Sequence, residues 1–433
     1  MDKFHPFQII LIVVFAFLAL FGIFSFASFN GGVSSSGNAG EVLIWGTLPQ
    51  EAIQTGIDEI RAGSDKYSDV SYEEHPAETF DRDLADAIAA GGGPDMIILS
   101  QEDLFANRAK LTLLPPSVIS ERTYIDSYLS IFELFLTDGG VYGVPLAVDP
   151  MVLFYNRQIL ASAGAATPPA TWEAVTGLAK PIVRRTPDGS ISEAVIPFGE
   201  YTNVRNARGI ISLLFLQAGS PITIQEKEEV KSVLTDTAGA FGQTAAQSAL
   251  NFYTQFADPA KAVYSWNRSL PDSRSLFIAG DLALYPGFSS ELPYLLAANP
   301  NLDIDVAPIP QPGTATVRTT YGLAYAFAVP KASKNPNGAL QTAYALTAEM
   351  PMTAITSELS MVPARRSLVG KGSDDRYAAV SYADALVAKG WLSPGPAATD
   401  VVFSAMIGNI TSGRMDSLEA LHNAGESLNE TLR

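Results

Sequence analysis

The sequence predicts an α/β protein, with two blocks of alternating strands and helices preceded by one N-terminal transmembrane helix. Three observations carry this. Short apolar strand-like runs alternate with amphipathic stretches from residue 41 onward, strand character returns late in the chain, and the first thirty residues contain a long apolar run. With 433 residues, 47% of them hydrophobic, there is material for more than one core, so more than one lobe is expected.

From Phe7 to Phe29 only Gln8, Ser25 and Ser28 interrupt the apolar character. A helix of about 23 residues spans roughly 35 Å, enough to cross a bilayer. Secretory apolar regions are shorter, about 7–15 residues, and no clear small-x-small cleavage site follows. Residues 1–30 therefore read as an uncleaved signal-anchor, with a cleaved signal peptide as the alternative. Lys3 before the run favours an inside N-terminus and an exported body. Residues 31–40 (GGVSSSGNAG) read as a flexible linker.

Beyond the linker, Glu41–Trp45 is a short strand, and residues 49–62 place Ile53, Ile57 and Ile60 on one helical stripe. Val70–Glu73 is a second strand. Phe80, Leu84 and Ile88 then recur at helical spacing before a glycine stop, and Met96–Leu99 is a continuous apolar run of the kind buried in parallel sheets. This β-α-β-α-β order implies right-handed crossovers and an open sheet. Asp138-Gly139-Gly140 marks a tight turn before two strands, VYGVPLAV and MVLFYN. Helices follow at TWEAVTGLAKPIV, at NARGIISLLFLQAG and over Gln243–Phe256. Strands return at 282–285, 303–309 and 321–330, and the tail from about Asn335 is mainly helical, with stripes at Leu340/Tyr344/Leu346 and Leu418/Leu421.

Charge and composition exclude several functions. Asp and Glu number 45 against 28 Lys and Arg, a net charge of −17 that repels phosphate backbones, so nucleic acid is not an expected partner. Without cysteine there is no disulfide, thiolate nucleophile, Fe–S cluster or cysteine-ligated zinc. The three histidines are scattered, no nucleophile-elbow, zinc-protease or phosphate-loop pattern occurs, and GGGP at 91–94 ends a helix rather than opening one. Asp81, Asp83 and Asp86 follow helical spacing, not that of a calcium loop. No catalytic residue, metal ligand or cofactor is expected.

The order of segments resembles the family 1 extracellular solute-binding proteins of ABC importers, the maltose-binding-protein-like group. The resemblance rests on VLIWG, FDRDLADAIAAGGGPDMIIL, YGVPLAVDPMVLFYNRQILASAG, TPPATWEAV, LFIAGDLALYPGF, and YGLAYAFAVPKASKNPNGALQTAYAL followed by VPARRSL. It runs from about residue 41 to 411. It implies a periplasmic-binding-protein-like clamshell of two helix-flanked sheets that closes on a small polar solute about a hinge, with 41–148 plus 262–318 as the first lobe and 149–261 plus 319–433 as the second. It also implies ABC permease subunits as partners and an extracytoplasmic body.

A sugar presents hydroxyls around an apolar ring face, so its site needs aromatic plates and polar side chains. In open α/β sheets these gather at the carboxyl ends of strands. That rule selects Trp45 and Thr47 after the first strand, Glu74 and His75 after the second, and Gln101 after the third. Asp149, a carboxylate between two apolar strands, needs a partner or access to a cleft. Tyr155 ends the next strand, Tyr201 and Asn203 follow PFGE, and Trp266 and Arg268 lie in a polar, turn-rich stretch. Gly287, Phe288 and Ser289 follow LALY, where glycine lets a ligand approach the backbone and an aromatic stacks on it. Tyr321 and Arg365 complete the set. Carbohydrate is the expected solute class, ahead of polyamines, peptides, metal chelates and phosphate esters. A membrane-anchored enzyme acting on carbohydrate, or a sensor with the same fold and no transporter, are the alternatives.

Overall fold

The computed structural model describes residues 38–227, 229–234 and 244–433. The expected membrane segment and residues 31–37 of the expected linker lie outside them. Among the described residues no helix is long and apolar enough to cross a membrane.

The first expected elements form where the patterning put them. Strand β1 is Val42–Gly46, helix α1 Gln50–Gly63, β2 Val70–Glu74, α2 Phe80–Ala89 and β3 Met96–Ser100. Helix α1 buries Ile53, Ile57 and Ile60 against the sheet, and β3 is buried along its whole length. Both β2 and β3 run parallel to β1, as crossover helices require.

Further along, Leu136–Thr137 pairs with Gly140–Val141 around the expected turn. Beyond this hairpin the chain forms one strand rather than two: β4, Val144–Asn156, passes straight through Asp149-Pro150 and is buried nearly throughout. The remaining strands of the sheet are β5 (Leu284–Phe288), β6 (Ile304–Ala307), β7 (Thr320–Ala328), β8 (Val362–Pro363) and β9 (Ala388–Lys389). The spatial order is β5-β4-β7-β3-β1-β2, with β6 and β8 also paired to β4 and β9 to β7. The sheet is mixed, because β7 runs antiparallel to both β3 and β4.

Strand β4 changes partners at its middle. Its first half lies between β7 and β8, with Val148 opposite both Ala324 and Val362. Its second half lies between β5 and β6, with Leu153 opposite both Pro286 and Ala307. The changeover falls at Asp149–Met151, where Pro150 withholds a ladder donor. These pairings cross the expected lobe boundaries. Residues 284–288 and 304–307, placed with the first lobe, pair with 151–156 of the second; residues 320–328, placed with the second, pair with β3. Residues Ala39–Arg433 form one compact unit.

Helix α3 spans Gln101–Asn107, α4 Ala207–Gln217 and α5 Pro396–Thr411. The last helix, Ser417–Thr431, buries Leu421 but leaves Leu418 47% exposed, so Leu418 does not share the expected stripe.

Trp266 lies in the core. Its ring has no solvent exposure, and its Nε1 donates to Asn203 Oδ1 at 3.1 Å. Asn203 in turn donates to the carbonyls of Asn267 and Leu270, closing the turn that carries the indole. Trp266→Ala is therefore expected to cost about 3–5 kcal/mol of stability, read by denaturant unfolding. A loss under 1 kcal/mol would mean the ring is not packed as described.

Candidate functional site

The sheet delivers its chemistry to a hollow of ≈ 520 Å³ lined by residues from five parts of the chain. Glu102 is the second residue of α3, just past the carboxyl end of β3, Arg208 lies in the first turn of α4, and Asp400 near the start of α5. Phe288 ends β5, Tyr321 lies in β7, and Tyr201 comes from the loop before α4. Gly209 permits this convergence: a Cβ there would sit 2.8 Å from Met151 Cε and 3.2 Å from Phe288 Cζ. The ring centroids of Phe288 and Tyr321 are 6.3 Å apart at 59°.

An ion-pair network runs across the floor. Arg208 Nε and Nη2 grip Glu102 in a fork, at 3.2 Å to Oε1 and 2.9 Å to Oε2, and Nη1 reaches Asp400 Oδ2 at 2.7 Å. Tyr321 donates to Glu102 Oε1 and Tyr201 to Asp400 Oδ1, each at 2.5 Å. The Glu102 side chain is 3% exposed and that of Arg208 24%, so this pair is largely out of water, whereas Asp400 is half solvated. Burial works against the Arg208 charge, but Glu102 and Asp400 outweigh it and hold the guanidinium pKa above its ordinary value. Burial, then the neighbouring carboxylate, raises both tyrosine hydroxyls, which stay protonated as donors. A cation at a helix N-terminus is disfavoured by the helix dipole, and two carboxylates offset that at Arg208.

Of the residues that the sequence pointed to, Tyr201, Phe288 and Tyr321 line this hollow. Four more sit in buried supporting roles. Gln101 is wholly buried, its Oε1 accepting from Ala324 N at 2.6 Å and its Nε2 donating to Gly322 O. Its amide thus continues toward β7 the ladder that β3 ends at Ser100. Asp149 is 2% exposed and accepts from the Ser289 hydroxyl at 2.8 Å, Ser290 N at 3.0 Å and the Ser290 hydroxyl at 2.6 Å. Ser289 also donates to the carbonyl of Ser360. Gly287 is a packing glycine, because a Cβ would meet Tyr285, Glu291 and Phe154 within 2.7–3.0 Å; the freed space is filled from within and does not admit a ligand.

The others lie apart. The Trp45 and His75 rings pack tilted at 37° with centroids 4.1 Å apart near the ends of β1 and β2, Thr47 follows β1, and Glu74 accepts from Gln50 N. Asn203, Trp266 and Arg268 form a structural cluster, with Arg268 Nε donating to both oxygens of Glu200. Trp266, expected to stack on solute, is corrected to a core residue because no face of its ring is accessible. Tyr155 lines a separate hollow with Arg157 and Asp305. Arg365 donates to Thr347 O and covers the Tyr128 ring. Hollows of ≈ 430 Å³ beside Trp391 and ≈ 670 Å³ beside Asn251 contain none of the residues selected from the sequence. Among the described residues no group of three or more His, Cys, Asp or Glu is placed to hold a metal.

Sheet order, a shared central strand and a polar, aromatic-lined hollow define an α/β binding protein of the periplasmic type. The family model of bacterial extracellular solute-binding proteins matches residues 65–349, and the chain belongs to that family, as a family 1 member. Its fold is similar to that of a cyclo/maltodextrin-binding protein complexed with maltotetraose, at a TM-score of 0.73 and 15% identity over 92% of this chain and 99% of that one. The GacH receptor of Streptomyces glaucescens, solved unliganded and with acarbose, follows at 0.70, with 17% identity over 90% and 98% of the two chains. An ABC transporter solute-binding protein from Thermotoga lettingae bound with α-D-tagatose gives 0.69, with 20% identity over 91% and 100%. Binding proteins of Brucella abortus and Brucella suis are 27% identical over 150 residues, 33% of this chain and 35% of theirs, so the match spans about a third of their length.

Proposed function

We propose that this chain is the solute-binding component of an ABC import system and captures a sugar or oligosaccharide in the hollow between Glu102, Arg208, Phe288 and Asp400. The observation that carries the reading is the composition of that hollow. It pairs an aromatic plate, the half-buried Phe288 backed by the buried Tyr321, with a rim of charged and hydroxylic groups, which is what a ring face edged by hydroxyls requires. Related folds solved with maltotetraose and tagatose support the same ligand class.

The two halves of β4 suggest how capture works. One group of strands, β1, β2, β3, β7 and β8, attaches to its first half, and β5 and β6 attach to its second. In this reading each group carries half of the site, and bending near Asp149–Met151 closes one on the other. A solute that bridges Glu102 and Phe288 favours the closed state because only there are both half-sites satisfied. The apolar segment 7–29 would hold the body at the outer membrane face, close to its permease.

Calorimetric titration of the purified full-length chain against a panel of mono- and oligosaccharides tests this. At least one sugar is expected to bind and be released unchanged, and Phe288→Ala is expected to weaken it about tenfold through loss of stacking. A panel with no binder, or one in which sugar is turned over to product, contradicts the reading.

A further inference from the structure

The charged groups of the hollow are paired with one exception, and this bears on which sugar it takes. Glu102 and Asp400, the two carboxylates on the floor, are both paired. Glu102 accepts from Arg208 Nε, Arg208 Nη2 and Tyr321, and Asp400 accepts from Arg208 Nη1 and Tyr201. The hydroxyl protons of both tyrosines are therefore spent as well. Asn206, also on the wall, commits its Nδ2 to Glu291 Oε1 at 2.7 Å. Of the four charged side chains that line the hollow, Arg205 alone is left over: it is exposed and has no ion pair or side-chain hydrogen bond with any other described residue. Its backbone is fixed, because Arg205 N donates to the buried Ser273 hydroxyl at 2.9 Å. In a chain with 45 acidic residues against 28 basic ones, a guanidinium held at a pocket wall without a carboxylate partner stands out from the charge balance around it.

We propose that the solute is an acidic saccharide, and that Arg205 is the specificity-determining residue that meets its carboxylate. This rests on the carbohydrate reading above and narrows it. A planar carboxylate matches the guanidinium fork bidentately. Docked there, it pairs the one charged group of the wall that has no partner, while Phe288 takes the ring face. A dianionic sugar phosphate at the same place would set a second negative charge facing Glu102 and Asp400, so the singly charged carboxylate is the favoured anion.

The test is calorimetric titration of the full-length chain with matched probes: a neutral gluco-oligosaccharide, a glucuronate-bearing oligosaccharide of the same length, and a sugar phosphate. The glucuronate is expected to bind at least about tenfold tighter than the neutral sugar, with a preference that shrinks as salt is added because Arg205 is exposed. Arg205→Gln should remove that preference and leave neutral-sugar affinity within about twofold. Equal or better binding of the neutral sugar or the phosphate overturns the acidic-sugar proposal and leaves the carbohydrate reading intact. An acidic preference that survives in Arg205→Gln overturns the role of Arg205. Absence of binding by every probe rejects the carbohydrate reading and this proposal with it.

Discussion

Arg208→Ala is expected to destabilise the protein by about 3–5 kcal/mol, the loss incurred when one partner of a buried ion pair is removed. The cost comes from what is left behind. The Glu102 side chain, 3% exposed, would keep its negative charge with Tyr321 as its remaining side-chain donor, while Asp400, 46% exposed, would recover water. Glu102→Gln in the same background removes the stranded charge and should recover most of the loss, so a double-mutant cycle by urea unfolding isolates the pair. Additive single effects, or a loss below 1 kcal/mol for Arg208→Ala, would show that the pair is solvated and that the floor of the hollow is not rigid.

Asp149 carries the second large effect, and it depends on pH. Burial raises its pKa to about 6, against a favourable pull from the Ser290 and Ser289 hydrogen bonds. Because the folded value lies above the unfolded one, near 3.8, the folded state holds the proton more tightly. The stabilisation from this group is full below about pH 3.8 and is lost as pH rises through about 6. At neutral pH the buried carboxylate therefore costs on the order of 3 kcal/mol relative to its protonated form. Asparagine mimics that form and can keep both bonds onto Oδ1 while its amide donates to the Ser290 hydroxyl. Asp149→Asn is expected to match the parent near pH 4 and to melt higher at pH 7.5, as read by calorimetry. A mutant offset that is the same at both pH values would mean that Asp149 does not titrate as described. Asp103 and Asp384 are also raised to about 6 by burial and add to the parent's pH dependence, but they cancel in the comparison with the mutant.

Legibility in the sequence followed the range of the interactions. Strands β1 to β3 and their helices were readable because each is defined by local periodicity, and Ile53, Ile57 and Ile60 turned inward as their spacing required. Tyr201, Phe288 and Tyr321 were readable because strand ends and the loops after them point to the site, and they line the hollow. Arg208 and Asp400 were not. They lie 192 positions apart on helices dominated by apolar residues, and their pairing is a tertiary fact. The available signal was a cation inside NARGIISLLFLQAG, a segment too apolar to leave a charge without a partner. Glu102 was missed by one position. The strand-end rule selected Gln101, whose amide turns inward to β7 and leaves the next residue facing the hollow. The partners of the late strands were not legible for a related reason: no local pattern says which half of a continuous β4 a later strand will join.

The most direct test is a crystal structure of the protein with whichever saccharide titrates. Density for the sugar is expected against the Phe288 ring, within hydrogen-bonding reach of the Glu102–Arg208–Asp400 network. Density instead beside Trp391 or Asn251, with the Glu102 hollow empty, would contradict the proposal that this hollow is where solute is captured.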